Sequence, residues 1–200
     1  DIRNVLERSS ARETTMRVAL GSICRKLLQE IGIEVGSRVI AIHNVKDESS
    51  IPDNLMPNQL SEMADTSPVR CIYKDAETKM IKIIDDAKKS GDSVGGIFEV
   101  IAKGLPYGLG AHTQWDRKLQ TRISAMMMSI NAFKAVEIGS GFGGAEKFGS
   151  EVHDEIGHDS KKFIRYSNNA GGIEGGMSNA QPIILRMAMK PIPTLIKPLR

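Results

Sequence analysis

Between Ser9 and Gly32 the chain reads SSARETTMRVALGSICRKLLQEIG, with apolar residues at Met16, Leu20, Ile23 and Leu27 and the stripe widened by Leu28 and Ile31. Steps of three and four residues predict one amphipathic helix. Ser10 and Glu13 stand at capping-box spacing at its start, and Gly32 ends it. IEVGSRVIAIHNV predicts a strand, bulged at Gly36. Residues 44–70 are polar with three prolines and predict a loop with short helical pieces. A second helix, AETKMIKIIDDAKKSG, sets Met80, Ile83, Ile84 and Ala87 on one face and leaves Asp85 and Asp86 solvated. SVGGIFEVIAKGL predicts a strand, WDRKLQTRISAMMMSI a helix and FKAVEI a strand. QPIILRMAMKP predicts the last strand, with Ile183, Leu185, Met187 and Met189 on one face and Ile184, Arg186, Ala188 and Lys190 on the other. Residues 139–176 hold ten of the nineteen glycines, which predicts loops that approach something closely. Helices and strands thus alternate through a single domain, 1–200, whose segments 44–70 and 139–180 are loop-rich.

Composition narrows the function classes. At 40% hydrophobic and 26% charged over 200 residues, the chain matches a soluble globular protein with a real core. A surplus of +3 and 4% aromatics give neither the charge nor the stacking surface of a nucleic-acid binder. No apolar run reaches the roughly 20 residues of a membrane span, and no signal-peptide pattern is present. Cys24 and Cys71 have no metal-ligand spacing. Cys24, within the helical pattern, reads as a small core residue, and the pair fits a reducing, cytoplasmic compartment. The chain opens on Asp1, already in helix-like sequence, as a piece of a longer protein would.

Gly139, Gly141 and Gly144 in EIGSGFGGAEKFG satisfy the dinucleotide fingerprint G-x-G-x-x-G after an apolar run. The fingerprint also needs a long helix and an acidic residue about 20 positions on. Neither follows, so the glycines read as a turn leaving the strand. His153 and His158 are five apart, about 140° round a helix, where a zinc helix needs four. His43 and His112 are isolated, and no metal site is expected. Met126–Met128 read as core or subunit contact. Two stretches stand out. In ERSSARE, free N–H groups at a helix start, the hydroxyls of Ser9 and Ser10, and Arg8 and Arg12 make an anion site; a plain capping box with exposed arginines fits equally well. SNNAGGIEGGMSNAQP offers bare backbone with Asn168, Asn169, Ser178 and Asn179, then a strand that delivers Lys190 to its end. It reads as a ligand loop rather than a flexible surface loop.

RSSARET, GDSVGGIFEVIAKGLPYGLG, AMMMSINAFKAVEIGSGF, GSEVHDEI, NNAGGIEGGMSNAQPI and KPIPT occur in this order along essentially the whole chain. The set resembles the chorismate synthases. Ala180, where the family usually has Gly, and the methionine-rich AMMMSI are small departures. The resemblance implies an α+β fold, a β-α-β sandwich with a helical layer between antiparallel sheets, incomplete in a fragment. It implies a lyase that turns 5-enolpyruvylshikimate 3-phosphate into chorismate and phosphate by a 1,4-anti elimination. Reduced FMN is required there without net redox change, its N5 taking the C6 proton, and some members reduce their own flavin with NADPH. It implies no nucleic-acid or membrane partner and a cytoplasmic homotetramer. By motif, Arg8, Ser9 and Ser10 match a flavin contact, Asn131 and Ala132 a second, and Gly175 a third. Lys190, Pro191, Ile192, Pro193 and Thr194 match a fourth, and Arg12 is the candidate for the substrate's phosphate or carboxylate. Family members are longer at both ends, where their catalytic histidines and an Arg-x-Asp segment lie. None of the chain's four histidines matches those, so no catalytic residue is assigned. The alternative is a non-catalytic FMN-binding or oligomerisation core.

Overall fold

A computed structural model describes residues 1–9, 11–161 and 163–197. Its elements are α1 (Ile2–Ser9), α2 (Ala11–Glu30), β1 (Glu34–Ile42), β2 (Val45–Lys46), α3 (Pro57–Asp65), α4 (Lys74–Ser90), β3 (Gly96–Lys103) and β4 (Tyr107–Gly110). A 3-10 turn, Trp115–Arg117, leads to α5 (Leu119–Met128), β5 (Phe133–Ile138), α6 (Gly141–Ala145), α7 (Gly149–Val152), β6 (Ile156–His158), β7 (Phe163–Arg165), β8 (Ile173–Glu174), β9 (Met177–Asn179) and β10 (Ile183–Met189). The fold is α+β. Its main sheet runs β2-β1-β3-β10-β5 with every neighbour antiparallel, beside a three-stranded sheet β4-β9-β8 and a hairpin β6-β7.

The alternation in β10 gives that sheet two distinct faces. On one, Met187 pairs with Phe98 and Val136 and is fully buried. Leu119, Ile123 and Met127, four residues apart on α5, cover it. Along β1 the core continues as Cys71, Ala76 and Met80 against Val39 and Ile42. Burial pushes the Cys71 thiol above its ordinary value, so it acts as a small core group.

The other face carries a ladder of alternating charge. Register places Arg38 opposite Glu99, Glu99 opposite Arg186, and Arg186 opposite Glu137. Glu99 is 4% exposed and takes Arg38 Nε on one oxygen at 3.1 Å and Arg186 Nε on the other at 3.0 Å. Arg38 is further met by Asp47 at 3.5 Å and the Ser49 hydroxyl at 3.0 Å. Arg186 Nη1 donates to the Gly139 carbonyl at 2.9 Å and lies 3.8 Å from Glu137. No charge in the ladder is buried without a partner. The free edge of β1 is covered too: Ser37 N–H donates to the Ser61 hydroxyl on α3, and Val39 N–H to the Arg70 carbonyl.

Four expectations change. The register shift in β1 falls between Val39 and Ala41, not at Gly36, which pairs regularly with Ile101. Gly36 is small because the Pro57 backbone lies where a Cβ would sit. The first helix is preceded by another, α1, and the Glu13 carboxylate accepts from Arg17 Nε at 2.6 Å; the capping box expected at Ser10 lies outside the described residues. The stripe Met16, Leu20, Ile23, Leu27 and Ile31 is exposed, as is Cys24; Met16, Leu20 and Cys24 border an open cleft where a core was expected. The glycine-rich region, expected as loops, contains two short helices and the short strands β6 to β9.

Candidate functional site

The connection after α5 brings distant segments together. Asn131 Nδ2 donates to the Arg8 carbonyl at 3.5 Å, tying it to the end of α1. The next residue, Ala132, has φ +70, left-handed backbone that a non-glycine residue holds only when its surroundings enforce it. Its carbonyl accepts the Lys190 N–H at 3.0 Å. Arg8, Asn131, Ala132 and Lys190 are thus linked although their numbers span most of the chain. Beyond Lys190, the Ile192 carbonyl accepts the Ser93 hydroxyl at 2.6 Å, which holds the Pro191–Thr194 segment against the loop before β3. Pro191 and Pro193 stiffen that segment.

Beside this junction a cleft of about 950 Å³ runs between α2 and α5. Met16, Leu20, Met126, Met127 and Ile130 make it apolar, and Arg8, Arg12 and Arg17 line it together with the carboxylates of Glu7 and Glu13. Arg12 meets Glu7 of α1 at 3.0 Å, and Arg17 reaches the Ser129 hydroxyl at 2.8 Å, pinning α2 to the end of α5. One carboxylate oxygen of Glu13 is buried and unpartnered among the described residues. The Ser9 hydroxyl donates back to the Val5 carbonyl at 2.9 Å, so it is committed within α1. Such a cleft suits a largely apolar ligand that carries an anion.

Gly175 lies elsewhere. Glu174 pairs with Met177 across Gly175 and Gly176, whose φ values of +58 and +95 make a two-residue hairpin turn of the primed kind. A Cβ on Gly175 would project into open space. The turn meets the start of α5, where Leu119 N–H donates to the Gly176 carbonyl at 2.8 Å. Asn131 follows the other end of α5, about 15 Å away along the helix.

The loop leading to this turn is not bare backbone. Asp154 Oδ1 accepts the Ser167 hydroxyl at 2.5 Å and Asn169 N–H at 2.7 Å, and Oδ2 accepts Ala170 N–H at 2.9 Å. Partial burial pushes this carboxyl up, but Ser167, the two N–H groups and Arg165 outweigh it and hold it below the usual carboxylate range. Asn168 spans the loop, donating to the Pro182 carbonyl and accepting Gly172 N–H. Gly139 presses on Gly171 so closely that a Cβ on either would overlap the other's strand of backbone. This explains the first glycine of EIGSGF, which served no dinucleotide. Asp154 lies in GSEVHDEI, one of the motifs that carry the resemblance, which gives it no role. His153 and His158 do not converge: His153 stands over Gly149, and His158 packs edge-on against Phe163. No helix among the described residues is long and apolar enough to cross a membrane.

Comparison with known proteins agrees with the motif order. The family model for chorismate synthase matches residues 1–200. The chain is 53% identical to the chorismate synthase of Bacillus cytotoxicus over 201 residues, covering all of this chain and 51% of that one. It is 52% identical to chorismate synthase 2 of Bacillus cereus over 200 residues, again 51% of that protein. The chain therefore spans about half the length of the curated relatives it matches. A crystal structure of chorismate synthase superposes with a TM-score of 0.87 at 47% identity, over 96% of this chain and 59% of that one. From fold, motif order and likeness together, the chain belongs to the chorismate synthase family.

Proposed function

We propose that this chain is the flavin-holding part of a chorismate synthase, a lyase that eliminates phosphate from 5-enolpyruvylshikimate 3-phosphate to give chorismate. The observation that carries the reading is the junction itself. Arg8, Asn131–Ala132 and Lys190 come from three motifs far apart in sequence and meet beside one cleft. The residues fit the cofactor: an apolar cleft takes a flat ring system, and the arginines take an anion. Arg8, Ser9, Ser10, Asn131, Ala132, Gly175 and the segment Lys190, Pro191, Ile192, Pro193 and Thr194 hold FMN in this reading. Arg12 offers its guanidinium to the substrate's phosphate or carboxylate. When bound, reduced FMN would supply electron density to the substrate and a basic site for the C6 proton. The protein's part is to fix the two ligands against each other and neutralise the departing phosphate. The parent protein in this reading is a cytoplasmic homotetramer.

One observation favours a narrower reading for the chain alone: among the described residues, no histidine lines the cleft. Proton transfer to solvent then lacks its usual side chain, and the chain binds FMN without turnover. An anaerobic titration with dithionite-reduced FMN, with and without 5-enolpyruvylshikimate 3-phosphate, tests both readings. Saturable binding, tightened by substrate, is expected, with no chorismate absorbance. Binding that fails to saturate by about 1 mM, below about 4 kcal/mol of affinity, overturns the flavin site. Chorismate formation overturns the narrower reading.

A further inference from the structure

Among the described residues Asp154 does not line the cleft, yet both its oxygens are engaged within the glycine-rich region. It gathers Ser167, Asn169 and Ala170 with both oxygens. Asn169 and Ala170 present consecutive backbone N–H groups, the concavity that elsewhere receives a ligand's anion. Here the protein fills it with its own carboxylate. From Ala170 the chain passes through the Gly171–Gly139 contact and β8 directly into the Gly175–Gly176 turn. Asp154 thus bonds backbone that lies six and five positions before Gly175.

The identity of the residue matters. A carboxylate accepts on both oxygens, while an asparagine has one acceptor oxygen and an N–H₂ group. Asparagine at 154 serves Asn169 with Ser167, or Ala170, but not all three, and it aims N–H at N–H on the other side.

We propose that Asp154 is a positioning residue that sets the Gly175–Gly176 turn for its contact with the flavin. This rests on the flavin reading above. The test is Asp154→Asn in the full chain, followed by backbone amide exchange and by anaerobic titration with reduced FMN. Loss of a charge-assisted hydrogen bond predicts exchange at Asn169 and Ala170 faster by about tenfold or more, and reduced FMN bound about five- to tenfold more weakly. Amides of β3 and β10 keep their protection, which separates the effect from unfolding. The difference spectrum of the bound flavin also changes shape; a loss of folded protein alone lowers its amplitude and leaves the shape intact. Ser167→Ala, which removes one of the three bonds, gives the same changes at smaller size and stands in if the asparagine variant does not fold. Unchanged exchange over residues 169–176 overturns the lock. Faster exchange with wild-type FMN affinity and spectrum overturns its service to the cofactor. A wild-type chain that takes no reduced FMN refutes the flavin reading instead, and the service to the cofactor with it, while the exchange arm still decides on the lock.

Discussion

Two apolar surfaces within this chain are of similar chemical quality and opposite fate. On the main sheet, Met187 has no exposed area, with Phe98 and Val136 beside it and α5 above. On α2, Leu20 is 64% exposed, and its neighbours along the stripe are equally open. The sheet closes its other face as well, by matching each buried charge with an opposite one across the strands. Helix α2 is held at points instead, by Arg17 to Ser129 and by Arg25 to Asn58. An apolar stripe declares that a surface wants covering, but the declaration carries no information about what does the covering.

The sharpest way to break this contrast is at Glu99. Glu99→Ala leaves Arg38 and Arg186 facing each other without their shared carboxylate, and a loss of about 3–5 kcal/mol in urea unfolding is expected. A loss below about 1 kcal/mol says the ladder is solvated and the sheet less closed than described. Next comes a pair of truncations. Met187→Ala costs about 2–5 kcal/mol, whereas Leu20→Ser on α2 stays within about 0.5 kcal/mol in the same assay. Equal costs mean that α2 is packed in solution, for instance against a second copy.

Gly175 separates backbone strain from ligand contact. Gly175→Val forces a β-branched residue to positive φ and costs about 1–2 kcal/mol. Gly175→Asn keeps the turn, because asparagine tolerates that conformation. Both variants are expected to weaken reduced FMN, but only the asparagine variant does so without loss of stability. An unchanged titration for Gly175→Asn removes the turn from the flavin site. The smallest effect is electrostatic. The Asp154 carboxyl lies below its ordinary value when folded, so its contribution is complete above about pH 3.9, the unfolded-state value. It is lost as pH falls through the lower, folded value. Amide protection at Asn169 and Ala170 follows that fall in the wild type and is flat over the same range in Asp154→Asn.

Local pattern made much of this legible. The period-two alternation of IILRMAM fixed both faces of β10, and Met80, Ile83, Ile84 and Ala87 fixed the inner face of α4. The resemblance names Arg8, Asn131 and Lys190 as contacts of one cofactor, and hydrogen bonds through Asn131 and Ala132 link those three segments. What stayed hidden was non-local. The displacement of the β1 bulge to Ile40 depends on pairing with β3, and the smallness of Gly36 depends on Pro57, twenty-one positions away in sequence. Asp154 stood inside a quoted motif, but its role gave no signal, because its partners are mostly backbone N–H groups, which every residue possesses. The exposure of Cys24 and Leu20 had no sequence signal either, since a stripe reads the same whether or not something lies on it.

The clamps on residues 168–176 bear on the thermodynamics of binding. Fixing a residue's backbone costs about 1–2 kcal/mol in conformational entropy. Nine residues held by Asp154, Asn168 and Gly139 have surrendered something on the order of 10 kcal/mol of that freedom during folding. A ligand that meets the turn at Gly175 therefore finds a surface already ordered. Its affinity carries little ordering penalty, and its association is that of docking onto a rigid rim.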